Sequence, residues 1–137
     1  MAQPDTPYVL NTTTGPETLN AIQQTLDHVW SAHDIPEMVR MYMDLAVGEI
    51  GANIIEHSGG GKPVHLRMEV RVLPESIQAI FTDDGRPSPI DLSEAEMPDG
   101  FSERGRGLAI AHRVLDELSY RRDSDGNHWT LVRSRAE

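Results

Sequence analysis

Glu49 and Asn53 stand four residues apart in the stretch Leu45-Ala-Val-Gly-Glu-Ile-Gly-Ala-Asn-Ile-Ile-Glu-His57, which otherwise reads as an apolar helix. Positions i and i+4 stack on one helical face, so a carboxylate and a carboxamide point together into one site. Glu is seldom buried without a partner, and Asn has four hydrogen-bonding positions to satisfy. A ligand explains both. The Asn53 side-chain oxygen suits Mg2+, which takes few protein ligands and keeps waters and substrate phosphates for the rest. Glu49 is placed to orient or deprotonate an attacking hydroxyl. Taken alone, the same pair also fits a solvated Glu beside a helix-surface Asn.

Two glycine-bearing segments downstream supply what a nucleotide needs. Asp83-Asp84-Gly85 ends a strand, so a carboxylate can sit on a pocket floor while the glycine allows close backbone approach. Asp83 can accept from the exocyclic amine of adenine, a contact guanine does not offer. Asp-Gly is equally a turn dipeptide. Gly105-Arg106-Gly107-Leu108 opens a helix whose first N–H groups and dipole favour a phosphate, and Arg104 and Arg106 add positive charge. A flexible hinge before a helix is the plainer reading of that segment, because a lone G-x-G is weak.

The elements that must position these groups follow from periodicity. Residues 8–13 form a short strand. Thr14-Gly-Pro-Glu17 matches a capping box, with Thr14 as the cap, and the helix after it buries Leu19, Ile22, Leu26, Val29 and Trp30. Pro36-Glu37 opens a second helix that ends about His57, before Gly59-Gly-Gly61. Its expected core stripe is Met38, Met41, Leu45, Gly48, Ala52 and Ile55, with Glu49 and Asn53 at the rim. Strict alternation makes 64–72 a half-exposed strand, and Ile77, Ala79 and Phe81 continue an antiparallel partner. A polar loop from about Gly85 to Arg104 has the length of a functional lid. A helix from about Gly105 to Glu117 and two strands joined by Ser124-Asp-Gly-Asn127 close the chain. The order β-α-α-β-β-loop-α-β-β predicts an α/β two-layer sandwich, an α+β arrangement with a mostly antiparallel mixed sheet covered on one face.

Composition narrows the function. The 137 residues carry a formal net charge of −10, which disfavours a nucleic-acid partner. With no Cys there is no thiolate nucleophile or disulfide framework. No run approaches the ~18 apolar residues of a membrane span, and no signal peptide is recognised, so a cytoplasmic location is expected. Gly59-Gly-Gly-Lys62 is not a phosphate-binding P-loop, since Pro63 stands where Ser or Thr must follow. Protein-kinase signatures, a nucleophile elbow and a zinc-protease helix are all missing. No repeat or second domain is evident, so 1–137 is expected to be one domain.

Read in order, the three segments resemble the N, G1 and G2 boxes of the GHKL ATPase superfamily, which has the Bergerat ATP-binding fold. Glu49-x-x-x-Asn53-x-x-x-His57, Asp83-x-Gly85 and Arg104-Gly-Arg-Gly-Leu-Ala-Ile110 look most like the RsbW-type anti-sigma-factor serine/threonine kinases. Leu115-Asp-Glu-Leu-Ser-Tyr120 and Asn127-x-Trp129-x-Leu131-Val-Arg133 are similar to that group as well. The resemblance implies ATP and Mg2+ as cofactors, with Mg2+ held by Asn53 and Glu49 acting on the substrate hydroxyl. It further implies that Asp83 reads adenine, that Gly85 supports its pocket, and that Arg104, Gly105, Arg106, Gly107 and Leu108 surround phosphates beneath a lid at 86–104. Relatives of this type phosphorylate a Ser or Thr on an anti-anti-sigma (STAS) protein, which competes with a sigma factor for the kinase, and many are homodimers. Pro87 departs from the pattern, which has a second glycine there; proline fixes φ and removes an N–H. That departure motivates an alternative, a non-catalytic GHKL module that sequesters a STAS or sigma-type partner. Thr130 matches only loosely a threonine common near the last strands. The exposed parts of the 14–33 helix and the lid are the expected partner surface.

Overall fold

The alternation of Leu66, Met68, Val70 and Val72 with charged residues produces β2 (His65–Val72), and the matching alternation after the Pro74-Glu75 turn produces β3 (Ser76–Asp83). The computed structural model describes residues 7–60, 62–87 and 103–136, the side chains of 103–106 excepted. In chain order its elements are β1 (Tyr8–Thr13), α1 (Thr18–Ala32), α2 (Glu37–His57), β2, β3, α3 (Glu103–Val114), β4 (Glu117–Asp123) and β5 (Gly126–Ser134). The five strands form one sheet in the order β1-β2-β3-β5-β4, and every pair is antiparallel. The sheet is therefore not mixed. The expected element order holds, with α3 starting two residues before Gly105 and stopping at Val114 rather than Glu117. Residues 88–102, most of the expected lid, lie outside the described residues.

The core fills the space between one sheet face and the helices. Met68 pairs with Phe81 and Phe81 with Trp129, so three large apolar side chains share a row across β2, β3 and β5. On the opposite face Glu69 bridges Arg67 at 3.1 Å and Arg71 at 2.7 Å. The β4–β5 hairpin turns at Ser124-Asp125, and Gly126 follows with φ of 123°, a value that favours glycine. Arg133 on β5 donates from Nη1 to the carbonyl of Val114 at 2.8 Å and lies 4.6 Å from the centre of the Tyr42 ring. It thus ties the last turn of α3 to α2, with a cation at a helix C-terminus where the dipole favours it. Among the described residues, no helix is long and apolar enough to cross a membrane.

Three expectations are corrected. Thr14 does not cap α1: its Oγ1 accepts from the Val64 N–H at 2.9 Å, because Thr14 continues the β1–β2 pairing and its hydroxyl is used across the sheet. The first turn is closed instead by Thr18, whose Oγ1 accepts from Gly15 at 2.8 Å. Leu19 is exposed, since the buried stripe of α1 starts one residue earlier, at Thr18, and continues through Ile22, Leu26, Val29 and Trp30.

The third correction concerns α2. Its buried side is Val39, Met43, Ala46, Val47, Ile50, Gly51, Asn53 and Ile54. The expected stripe faces away from the core: Met38 is 45%, Met41 58% and Leu45 43% exposed, Gly48 borders open space, and Ala52 and Ile55 are half-buried. Apolar residues occur on both sides of this helix, so periodicity alone does not choose between them. Packing chooses the side that has Gly51, where α1 approaches so closely that a Cβ would lie 2.9 Å from Ile22 Cδ1.

Candidate functional site

The last three turns of α2 and the first turns of α3 face each other across a cleft of about 180 Å³. Glu49, Ala52, Asn53, Glu56 and His57 line one wall, and Gly107 and Leu108 the other. The i, i+4 spacing therefore does what the sequence predicts and brings Glu49 and Asn53 to one opening. Glu49 reaches across to Gly107, where a Cβ would lie 2.5 Å from its Oε2 and displace the carboxylate. Leu108 serves the cleft and the core together, at 1% exposure. Gly105 lies in the first turn of α3, while the side chains of Arg104 and Arg106 lie outside the described residues.

Asn53 is buried, and its Oδ1 has no hydrogen-bond partner. An acceptor left so costs about 1–3 kcal/mol in a closed structure. Among the described residues it is one of four such side-chain atoms. A second is Oδ2 of Asp83, a residue only 1% exposed at the end of β3. Its other oxygen, Oδ1, accepts from the Gly85 N–H at 2.9 Å and from Asn127 Nδ2 at 2.9 Å. One carboxylate oxygen is thus fixed by protein, and the other is left for something else.

Asp83 does not line the Glu49–Asn53 cleft; the two halves of the site meet through the end of α2. Gly85 packs so tightly on Ser58 that a Cβ would sit 2.3 Å from the Ser58 carbonyl oxygen. The Arg86 N–H donates to that same oxygen at 2.6 Å, and Arg86 Nη2 reaches the His57 carbonyl at 3.2 Å. His57 lines the cleft, so the segment after β3 is clamped to the cleft's edge. Pro87, exposed, follows directly.

Asn127 is the residue that sequence reasoning missed. Its Nδ2 bonds Asp83 Oδ1 and also the Arg86 carbonyl at 2.6 Å, while its Oδ1 accepts from Tyr120 at 2.5 Å and Arg122 at 3.0 Å. Arg122 further donates to the Gly85 carbonyl at 2.9 Å. Asn127 is directly opposite Asp83 in the β3–β5 ladder, a fact of register. Thr130 pairs with Ile80 instead, three residues further along, so it points to the other sheet face.

Two carboxyls with displaced titration lie away from this cleft. Burial pushes Glu69 up, but hydrogen bonds and charges from Arg71 and Arg67 outweigh it and hold the group below the usual range. Hydrogen bonds from His128, then Arg121 and the Asp125 N–H, hold the exposed Asp123 well below it. Among the described residues, no cluster of three His, Cys, Asp or Glu could hold a metal. The cleft's oxygen donors are the Asn53 carboxamide and the carboxylates of Glu49 and Glu56, hard ligands that suit Mg2+, and His57 stands beside them.

The sequence model of the histidine kinase-like ATPase domain matches residues 12–133. Among solved structures, the chain is similar to the RsbU and RsbW domains of Rv1364c from Mycobacterium tuberculosis, with a TM-score of 0.65 and 15% identity over 94% of this chain and 32% of that one. It is also similar to the histidine kinase domain of the blue-light activated histidine kinase EL346 from Erythrobacter litoralis, with a TM-score of 0.60 and 18% identity over 83% of this chain and 58% of that one. At these identities the likeness is one of fold, and the chain spans about a third and somewhat over half of the two. No curated protein matches it by sequence.

Proposed function

Because this chain belongs to the histidine kinase-like ATPase domain family, we propose that it is an ATP-dependent serine/threonine protein kinase of the RsbW type. In this reading it is an anti-sigma factor that phosphorylates a STAS anti-anti-sigma protein and releases or holds a sigma factor accordingly. The observation that carries it is the pair of buried oxygens without partners, Asn53 Oδ1 and Asp83 Oδ2. One is the donor a hydrated Mg2+ takes, and the other is the acceptor an adenine amine takes. The RsbW domain of the M. tuberculosis structure supports the choice of kinase type.

In phosphoryl transfer the protein mainly positions groups and offsets charge. Asn53 would hold Mg2+, which neutralises phosphate charge when bound. Asp83, fixed by Asn127, orients the base. Gly105 and Gly107 place no side chain at two positions of the first turns of α3, which favours close approach of a phosphate to the backbone there. Leu108 closes the apolar floor, Arg104 and Arg106 at the start of α3 are proposed to meet the phosphates, and residues 86–104 are the proposed lid. Glu49, beside Gly107, takes the proton of the acceptor hydroxyl. The described cleft is smaller than the roughly 300 Å³ or more of most small-molecule sites, and residues 88–102 lie outside the described residues.

Calorimetric titration with ATP, GTP and Mg2+ tests the reading. Mg2+-dependent binding of ATP, with GTP weaker by about tenfold or more, is expected from a site that accepts from a 6-amino group. Equal binding of both nucleotides, or none, would overturn it. Phosphate transfer to the Ser or Thr of a STAS protein then tests the kinase assignment. Pro87 favours a second reading, in which the same fold sequesters its partner without chemistry; binding without transfer would support it.

A further inference from the structure

We propose that the outer face of α2, with the groove it forms against the end of α1, docks a basic amphipathic helix of a protein partner.

Single exposed apolar residues are ordinary on protein surfaces. Met38, Met41 and Leu45 are different because they fall at i, i+3 and i+7, one row along one helix. The N-terminal half of α2 carries apolar rows on two sides, and an apolar row is the face a helix turns to a neighbour. The core takes only its inner side, and i, i+3, i+7 is the spacing with which helices engage each other's side chains.

Beside this row lies a groove of about 410 Å³, more than twice the volume of the Glu49–Asn53 cleft. Trp30 and Met41 give it apolar surface, and Asp27, Glu37 and Asp44 give it carboxylates. Arg40 is its one cation, so the lining is net negative. Asp44 accepts from Trp30 Nε1 at 2.8 Å, which holds both side chains in place. Arg40 Nε is buried and has no acceptor. Apolar surface from Met41 beside three carboxylates fits the long stem and charged head of Arg or Lys. Charge selects the occupant. A second copy would bring the same acidic lining and a net charge of −10, and like charges across an interface are unfavourable. The row ends at Leu45, one turn before Glu49, so a helix seated on it arrives at the mouth of the cleft.

The test is fluorescence anisotropy of the full chain with three labelled synthetic helices. One carries leucine at i, i+3 and i+7 flanked by arginine, one replaces arginine with glutamate, and one scrambles the first so that no apolar row remains. The basic amphipathic helix should bind, the acidic one should not, and the scrambled one should bind at least about tenfold more weakly. Met41→Asp decides between docking and mere attraction to an acidic protein. It adds negative charge, so non-specific attraction would rise, whereas docking should weaken by about tenfold or more. Glu37→Lys should weaken it too, and Val9→Asp, an equally exposed change on β1, should not. Leu45→Asp provides a second reading if Met41→Asp melts early. Undiminished binding by both variants, equal binding of the scrambled helix, or a Met41-dependent dimer by sedimentation would each overturn the proposal. ATP titration of Met41→Asp should match the wild type, which keeps this surface separable from the nucleotide site.

Discussion

At its C-terminal end α2 buries a polar atom that nothing answers, Oδ1 of Asn53, while at its N-terminal end it leaves Met38, Met41 and Leu45 in solvent. Both are mismatches between a side chain and its surroundings, and they run in opposite senses. A buried acceptor costs free energy until a donor or cation reaches it. An exposed apolar row forgoes stabilisation until another apolar surface covers it. The first mismatch is small, enclosed and polar, so it suits an ion or a nucleotide. The second is long, open and apolar, so it suits a macromolecule. One helix would therefore present the proposed nucleotide site and the proposed docking surface a turn apart, as the proposed kinase acting on a protein requires.

The comparison is broken most decisively at Glu49. Glu49→Ala should leave ATP binding near the wild-type value and lower phosphate transfer by about 10²–10⁴-fold; transfer at the wild-type rate in a single-turnover assay would remove Glu49 from the chemistry. Next comes Asn53→Ala, expected to weaken Mg2+-dependent ATP binding by about 10–100-fold. Its thermal stability should fall by less than about 1 kcal/mol, because Oδ1 has no bond to lose. A large loss of stability with unchanged affinity would make Asn53 a structural residue.

The two sides of α2 are compared directly by Met43→Ala and Met41→Ala. Met43 is fully buried, and its truncation should cost about 2–5 kcal/mol by denaturant unfolding. Met41, two residues away and 58% exposed, should cost no more than about 0.5 kcal/mol. Equal costs would mean that the outer side is packed in solution, and would sharpen the question of what packs it. A modest, pH-dependent effect is expected at Glu69, whose carboxylate is paired with Arg67 and Arg71. Its folded pKa lies below that of an ordinary glutamate, so its contribution is present above the ordinary value and is lost as pH falls through the lower folded pKa. Glu69→Gln should therefore be less stable than wild type at neutral pH, by about 1 kcal/mol or less, and match it in strong acid.

Much of this was legible in the chain. The order of elements, the bounds of α2, the alternation of β2 and the grouping of Glu49 with Asn53 follow from local spacing, and the structure keeps all of them. Two things were not. The core side of α2 was mistaken because Met38-Met41-Leu45 and Val39-Met43-Ile50 are both good apolar rows, and nothing local separates them. Asn127 was passed over because its role comes from lying across β5 from Asp83, 44 residues away. No short-range pattern encodes that pairing.

By itself, then, the sequence determined which residues could do chemistry and on what elements they ride, since helical and strand periods are properties of the backbone. Tertiary structure decided the rest. It chose the side of α2 that enters the core through the close approach at Gly51, and so left the other side apolar and open. It also set the β3–β5 register that gives Asp83 one oxygen held by Asn127 and one held by nothing. Burial and pairing are relations between distant parts of the chain, and only folding makes those parts neighbours.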